Sequence, residues 1–154
     1  MMKSILITII LVLFSFLFAE KYAVIYSPVK ENLSMMRNTS KLDPKDMETV
    51  WQATYLKWEE LAKNGYKFEN IFVLYGDGID YYRLDNYVSV RYSPEYLGLP
   101  KNYKMTKGKA TTDEFNKSII ELENKTKKED EMKVLIYDEG KFVEPDHFSK
   151  KESV

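Results

Sequence analysis

The side chains most used for nucleophilic and general-base chemistry are nearly missing from this chain, which has one histidine, His147, and no cysteine. Without cysteine there can be no disulfide, no thiolate metal site and no thiolate nucleophile. His147 is a lone histidine in a polar tail, and reads as a solvated side chain. The remaining candidates are carboxylates that follow apolar runs. Asp138-Glu139-Gly140 closes the run Met132 to Tyr137, which only Lys133 interrupts. Glu139 has the chemistry of a general base, but a base without a nucleophile or a metal has no reaction to drive. Gly76-Asp77-Gly78 closes a second run and, with Asp80, Asp85 and Asn86, gathers oxygen donors. Their spacing fits no calcium loop and no phosphate-loop lysine follows. No catalytic residue, cofactor or metal ligand is therefore predicted.

Contact chemistry is better represented. Many of the twelve tyrosines fall between residues 79 and 109, together with Arg83 and Arg91. Tyrosine joins a rigid apolar face to a polar tip and is favoured at binding surfaces. Tyr81, Tyr82, Tyr87 and Tyr92 mark this candidate partner surface. The competing reading is an excursion that packs its tyrosines onto its own sheet.

The elements that must position these residues follow from periodicity. Tyr22 to Tyr26, Asn70 to Tyr75 and Met132 to Tyr137 are short apolar runs between turn residues, the pattern of buried strands. Asp43-Pro44 suits a helix start. Met47, Val50, Trp51, Thr54, Tyr55, Trp58, Leu61 and Ala62 then repeat at helical spacing up to the Asn64-Gly65 stop. A second helix is expected from Thr112 to Lys128, with Thr111 and Glu114 at capping-box spacing and Phe115, Ile119 and Leu122 inward. Tyr81 to Leu84 and Tyr87 to Tyr92 could pair as a hairpin around Asp85-Asn86. Val29 to Leu42 reads as a loop, Lys141 to Pro145 as a short extension, and His147 to Val154 as a polar tail. Strand, helix, strand with such a crossover implies a right-handed parallel unit. The fold class is α/β: a three-layer sandwich fragment, mostly parallel, with flanking helices.

Three segments in order, YAVIY, FENIFVLYGDG and ATTDEF leading through IIELENKTKKEDEMKVLIYDEG, resemble the caspase-like cysteine peptidases of the legumain and gingipain type. In that family the last strand ends in His-Gly and the histidine is catalytic; here the position reads Glu139-Gly140. The resemblance covers most of residues 22–140 and implies strand order 2-1-3 for the three apolar runs. It also implies that a following strand should carry the catalytic cysteine, which this chain lacks. The expectation is a caspase-like half-domain over residues 20–143, catalytically inactive, with a polar tail over 144–154. In that arrangement the strand Met132 to Tyr137 has an unpaired outer edge, which invites a homodimer, a strand from a protein partner, or signals a gene fragment. A separate chain supplying the cysteine strand would restore a peptidase.

The N-terminus adds an address. Lys3 precedes the apolar run Ile5 to Phe18, followed by Ala19 and Glu20, the form of an export signal over residues 1–19. The run is short for a membrane span; left uncleaved it would act as an anchor. Cleavage after Ala19 leaves about 135 of the 154 residues and, with Lys3 removed, takes the net charge from −1 to near −2. That charge offers no basic field to nucleic acid. The destination is exported: secreted, periplasmic or cell-surface, with membrane contact only through the signal segment. One domain held by its core alone is expected, because no disulfide can help.

Overall fold

The computed structural model describes residues 19–29, 44–83, 91–138 and 140–145. The segment up to Phe18 that reads as an export signal, residues 30–42 of the expected loop, the Asp43 cap, Tyr87, Glu139, His147 and the tail beyond Pro145 lie outside the described residues. The elements are β1 (Lys21–Ser27), α1 (Pro44–Lys63), β2 (Ile71–Tyr75), β3 (Thr106–Gly108), α2 (Thr112–Lys125), β4 (Glu131–Asp138) and β5 (Lys141–Val143). They build an α/β fold around a five-stranded sheet in the order β3-β2-β1-β4-β5. All neighbours are parallel except β4 and β5.

Alternation along the strands sorts the core into two faces. Ala23 and Ile25 of β1, Ile71, Val73 and Tyr75 of β2 and Leu135 of β4 turn to α1, where they meet Trp51, Tyr55, Trp58 and Leu61. Val24, Phe72, Leu74 and Val134 turn to the other face and meet Ile119 and Leu122 of α2. The sheet is thus the middle of three layers. Both tryptophans and Tyr55 are fully buried. Wide aromatic faces account for much of the apolar area removed from water here.

α2 starts as its sequence predicts, with the Thr111 side chain accepting the Glu114 N–H at 3.3 Å. It ends at Lys125, short of the expected Lys128. The cause is Asp130, whose Oδ2 takes the Lys127 N–H at 2.7 Å and turns the chain toward β4. Two further expectations need correction. Tyr81–Arg83 forms a single 3-10 turn and not a hairpin strand. Asp80 causes this: its two carboxylate oxygens receive the Met105 N–H at 3.1 Å and the Thr106 N–H at 2.8 Å, which latches β3 beside β2. The sheet is also wider than three strands, because β3 and β5 extend its two sides.

Candidate functional site

In a parallel sheet the chemistry gathers where the strands end, so the carboxyl edge comes first. Ser27, at the end of β1, is fully buried, and its Oγ accepts the Thr54 hydroxyl at 2.8 Å. Its carbonyl accepts the Gly76 N–H at 3.1 Å, while the Gly76 carbonyl accepts the Ala110 N–H at 2.9 Å. Gly78 stands where a Cβ would meet Lys109 and Gly108 at 3.2 and 3.3 Å. These ties close the β1–β2 end over itself and leave its polar atoms engaged in structure. Asp77 is used locally, accepting the Ile79 N–H at 3.2 Å. Asp80 is 1% exposed and serves as the β3 latch, while Asp85 and Asn86 lie outside the described residues. Among the described residues, no group of three or more histidines and carboxylates could hold a metal ion.

The end of β4 has a different use. Asp138 pairs with Lys141, so only residues 139 and 140 connect β4 to β5, and Gly140 has φ +84°. A two-residue hairpin connection needs positive φ, which glycine supplies without strain. Across the hairpin, Tyr137 and Phe142 meet edge to face with ring centroids 5.3 Å apart. Past Gly140 the chain runs straight back as an antiparallel strand.

The tyrosine-rich segment lies mostly against its own helix. Tyr81 is 5% exposed; Tyr82 and Tyr92 are half-buried. The Tyr82 hydroxyl donates to the Tyr103 carbonyl at 3.1 Å, and Trp51 Nε1 donates to the Tyr92 carbonyl at 2.8 Å. Tyr92 stands edge-on to Tyr55 at 5.9 Å. Tyr96, 54% exposed, is the most exposed tyrosine among the described residues of this segment, with the Arg91 guanidinium 4.4 Å from its centre. Of the proposed surface, Tyr81 is therefore core, Tyr82 and Tyr92 are wall, and Tyr87 lies outside the described residues.

On the α2 face a half-open groove of ≈ 340 Å³ has Phe72 and Leu74 as its floor. Of its charged rim, Lys117 lies 2.7 Å from Glu114 and Lys125 contacts Glu121, while Lys107 and Glu69 balance each other in sign. The arrangement offers a ligand neither a net charge nor a poised acid–base couple.

The remaining feature is the outer edge of β4. Glu131 N–H donates to the Glu20 carbonyl at 2.9 Å, so the odd-numbered residues of β4 address their backbone groups to β1. Direction alternates along a strand, and the N–H and C=O groups of Met132, Val134 and Ile136 therefore face away from β1. β5 meets Ile136, Tyr137 and Asp138. The expected open edge along the whole of Met132 to Tyr137 is corrected accordingly: its last part is covered by the chain itself. Among the described residues, no strand lies beside Met132 and Val134 on that side. Lys133, between them, contacts Glu131 at 3.7 Å, and both side chains are about two-fifths exposed (40% and 42%). Neither this half-edge nor the Asp80 latch was legible from residue types; both arise from pairing.

No protein-family model, curated protein or solved structure matches this chain.

Proposed function

We propose that this chain is an exported, catalytically inactive relative of the caspase-like α/β proteins that works by binding: a protein partner adds a strand to the open half of the β4 edge. The observation that carries the reading is the short reach of β5, which pairs with Ile136, Tyr137 and Asp138, so that among the described residues no strand meets the outward backbone groups of Met132 and Val134. Backbone groups in that state are a template for strand addition, in which main-chain hydrogen bonds give affinity and alternate side chains give specificity.

A partner of different sequence suits this edge better than a second copy. The two-fold antiparallel register that seats Met132 of one copy opposite Val134 of the other sets Lys133 directly against its symmetry mate, and the register centred on Met132 needs the Asp130 N–H, which the Lys127 carbonyl already holds at 3.2 Å. Like charges at the Lys133 position are destabilising. An incoming strand with an acidic residue opposite Lys133 turns the same position into an attractive pair. Hydrogen exchange read at single residues tests the availability of the edge. Fast exchange at Met132 and Val134 beside slow exchange at Lys133, whose N–H faces β1, supports the reading. Protection of all three in an isolated monomer sinks it. A photo-cross-linking residue at position 132 then identifies the partner in the exported fraction, and Met132→Pro, which removes one outward N–H, should abolish the cross-link.

The same half-edge favours one second reading. In the family that the sequence resembles, the strand after the His-Gly position bears the catalytic cysteine, and such a strand from a separate chain would seat beside β4. Peptidase activity that appears on adding that chain and disappears in Glu139→Ala would select this reading over the inactive one.

A further inference from the structure

Glu20 enters the sheet with its backbone nitrogen on a carboxylate: Glu20 N donates to Asp130 Oδ1 at 2.8 Å. Asp130 is 5% exposed, and its other oxygen is held by the Lys127 N–H at 2.7 Å, so the acceptor is fixed in place. The donor is fixed as well. The Glu20 carbonyl receives the Glu131 N–H at 2.9 Å. Its side chain is bound by the Asn70 amide at 2.9 Å, by the Tyr22 hydroxyl at 3.3 Å and by the Lys67 ammonium. Every polar atom of Glu20 is thereby positioned, which is more than the residue leading into a strand needs.

The sequence places the end of the export signal at Ala19, directly before this residue. Resting on the exported reading above, we infer that cleavage falls between Ala19 and Glu20, and that the α-ammonium group so created forms an ion pair with Asp130 that anchors the mature N-terminus. The step is a hydrolysis. Water adds to the Ala19 carbonyl, the Ala19–Glu20 C–N bond breaks, Ala19 leaves as a carboxylate, and the Glu20 nitrogen keeps its pair and takes up protons to become an ammonium. The catalyst is the peptidase that removes export signals. An N–H dipole on Asp130 is thus replaced by a full charge on the same carboxylate, and a charge-assisted bond is roughly twice as strong as a neutral one.

The charged neighbours at this end of the sheet are Asp130 with Lys127 and Lys128 from the turn before β4, and Glu131 with Lys21 on the paired strands. Lys67 and the Glu20 carboxylate complete the set and bind each other. An ammonium seated on Asp130 releases its proton at higher pH than in the unfolded chain, where an α-amine titrates at about 7.7–8.0. The anchoring is therefore fully present below that value and is lost as pH rises through the folded one.

N-terminal sequencing of the exported protein, followed by NMR titration of its α-amine, tests the proposal. The expected results are a start at Glu20 and proton binding about tenfold tighter than in the urea-unfolded chain, a one-unit rise. N-acetylation of Glu20 keeps the N–H donor and removes only the charge. It should lower the Tm at pH 6, and the difference should vanish above about pH 10, where the amine is neutral in either state. Asp130→Asn should return the amine to its ordinary titration. An exported protein that keeps Met1 overturns the cleavage and this site with it, and absence of the chain from the exported fraction overturns the exported reading on which both rest. A start at Glu20 with an ordinary α-amine and no effect of acetylation overturns the ion pair alone.

Discussion

Arg91 Nη2 lies 3.1 Å from Glu59 Oε2, joining the tyrosine-rich excursion to helix α1. The Glu59 side chain is 7% exposed and is also held by Lys63 at 3.1 Å. Burial alone would push the Glu59 carboxyl up; the hydrogen bonds from Lys63 and Arg91 outweigh it and hold the carboxyl below its usual value. A group whose folded value is depressed stabilises above its unfolded titration and loses that contribution as pH falls through the folded one. Glu59→Gln should therefore lower the Tm by a few degrees at pH 7 and by less below about pH 4, where the carboxylate is being protonated anyway. Arg91→Ala should act in the same direction and also loosen the packing against Tyr96, seen as faster exchange of the Tyr92 and Tyr96 amides.

The Asp80 latch makes a sharper prediction about the sheet edge. Its two oxygens satisfy two consecutive backbone N–H groups at a 1% exposed position. Asp80→Ala orphans both donors and should cost about 2–3 kcal/mol in urea denaturation, the range for leaving a buried donor unpaired beside the loss of a charged acceptor. The amide of Thr106 should lose its exchange protection while those of β1 keep theirs. Uniform loss across the sheet would mean that the latch holds more than β3.

These two cases also show which parts of the molecule could be read from residue types. The stripe from Met47 to Ala62 buries a whole helical face, and such a pattern is set by the hydrophobic effect over many residues, so it survives translation into three dimensions. The Thr111 cap is equally local. β3 and β5, three residues each, carry no pattern of their own. Thr106-Lys107-Gly108 becomes a strand because Asp80 holds it, and Lys141-Phe142-Val143 because Gly140 turns the chain back. Asp130 and Glu59 are acids that no sequence pattern marks, and Asp80 reads from the sequence only as one oxygen donor among several, not as a latch. Their partners are 110, 32 and 25 residues away, beyond the reach of any motif. The tyrosines misled for a related reason: composition gives their number, and only packing decides which of them face water.

Gly140 tests the hairpin that covers the end of β4. A Cβ there would meet no atom within 4 Å, so the whole penalty of a substitution comes from φ +84°. Gly140→Ala should cost about 1 kcal/mol, the order of the left-handed penalty for an L-residue. The loss should be confined to β5: faster exchange of the amides of Lys141 and Val143, with the β1–β4 pairing unchanged. If strand addition at β4 is the function, shortening the chain's own cover should extend the available edge and strengthen partner cross-linking at position 132.

Tyr55 offers a prediction in the opposite sense, a substitution that removes a polar group without harm. Its ring is fully buried between Trp58 and Tyr92, and among the described residues its hydroxyl makes no hydrogen bond of good geometry, the Arg91 guanidinium lying over the ring at 5.6 Å. Burial, reinforced by the negative charge of Glu59 and only partly opposed by Arg91, pushes the hydroxyl up to about 12. An unpartnered buried hydroxyl carries a desolvation cost with no compensating bond, so Tyr55→Phe should leave stability at pH 7 unchanged or raise it by up to about 1 kcal/mol. Alkaline behaviour separates this from a mere tolerance of the change. A phenol that ionises at about 10 when unfolded and at about 12 when folded is protonated in the native state, and its contribution is lost as pH climbs between those values. Wild-type protein should therefore lose stability between pH 10 and 12 more steeply than Tyr55→Phe, measured as urea midpoints across that range. Parallel curves would place the Tyr55 hydroxyl in contact with water, and with it reopen the packing of the whole excursion against α1.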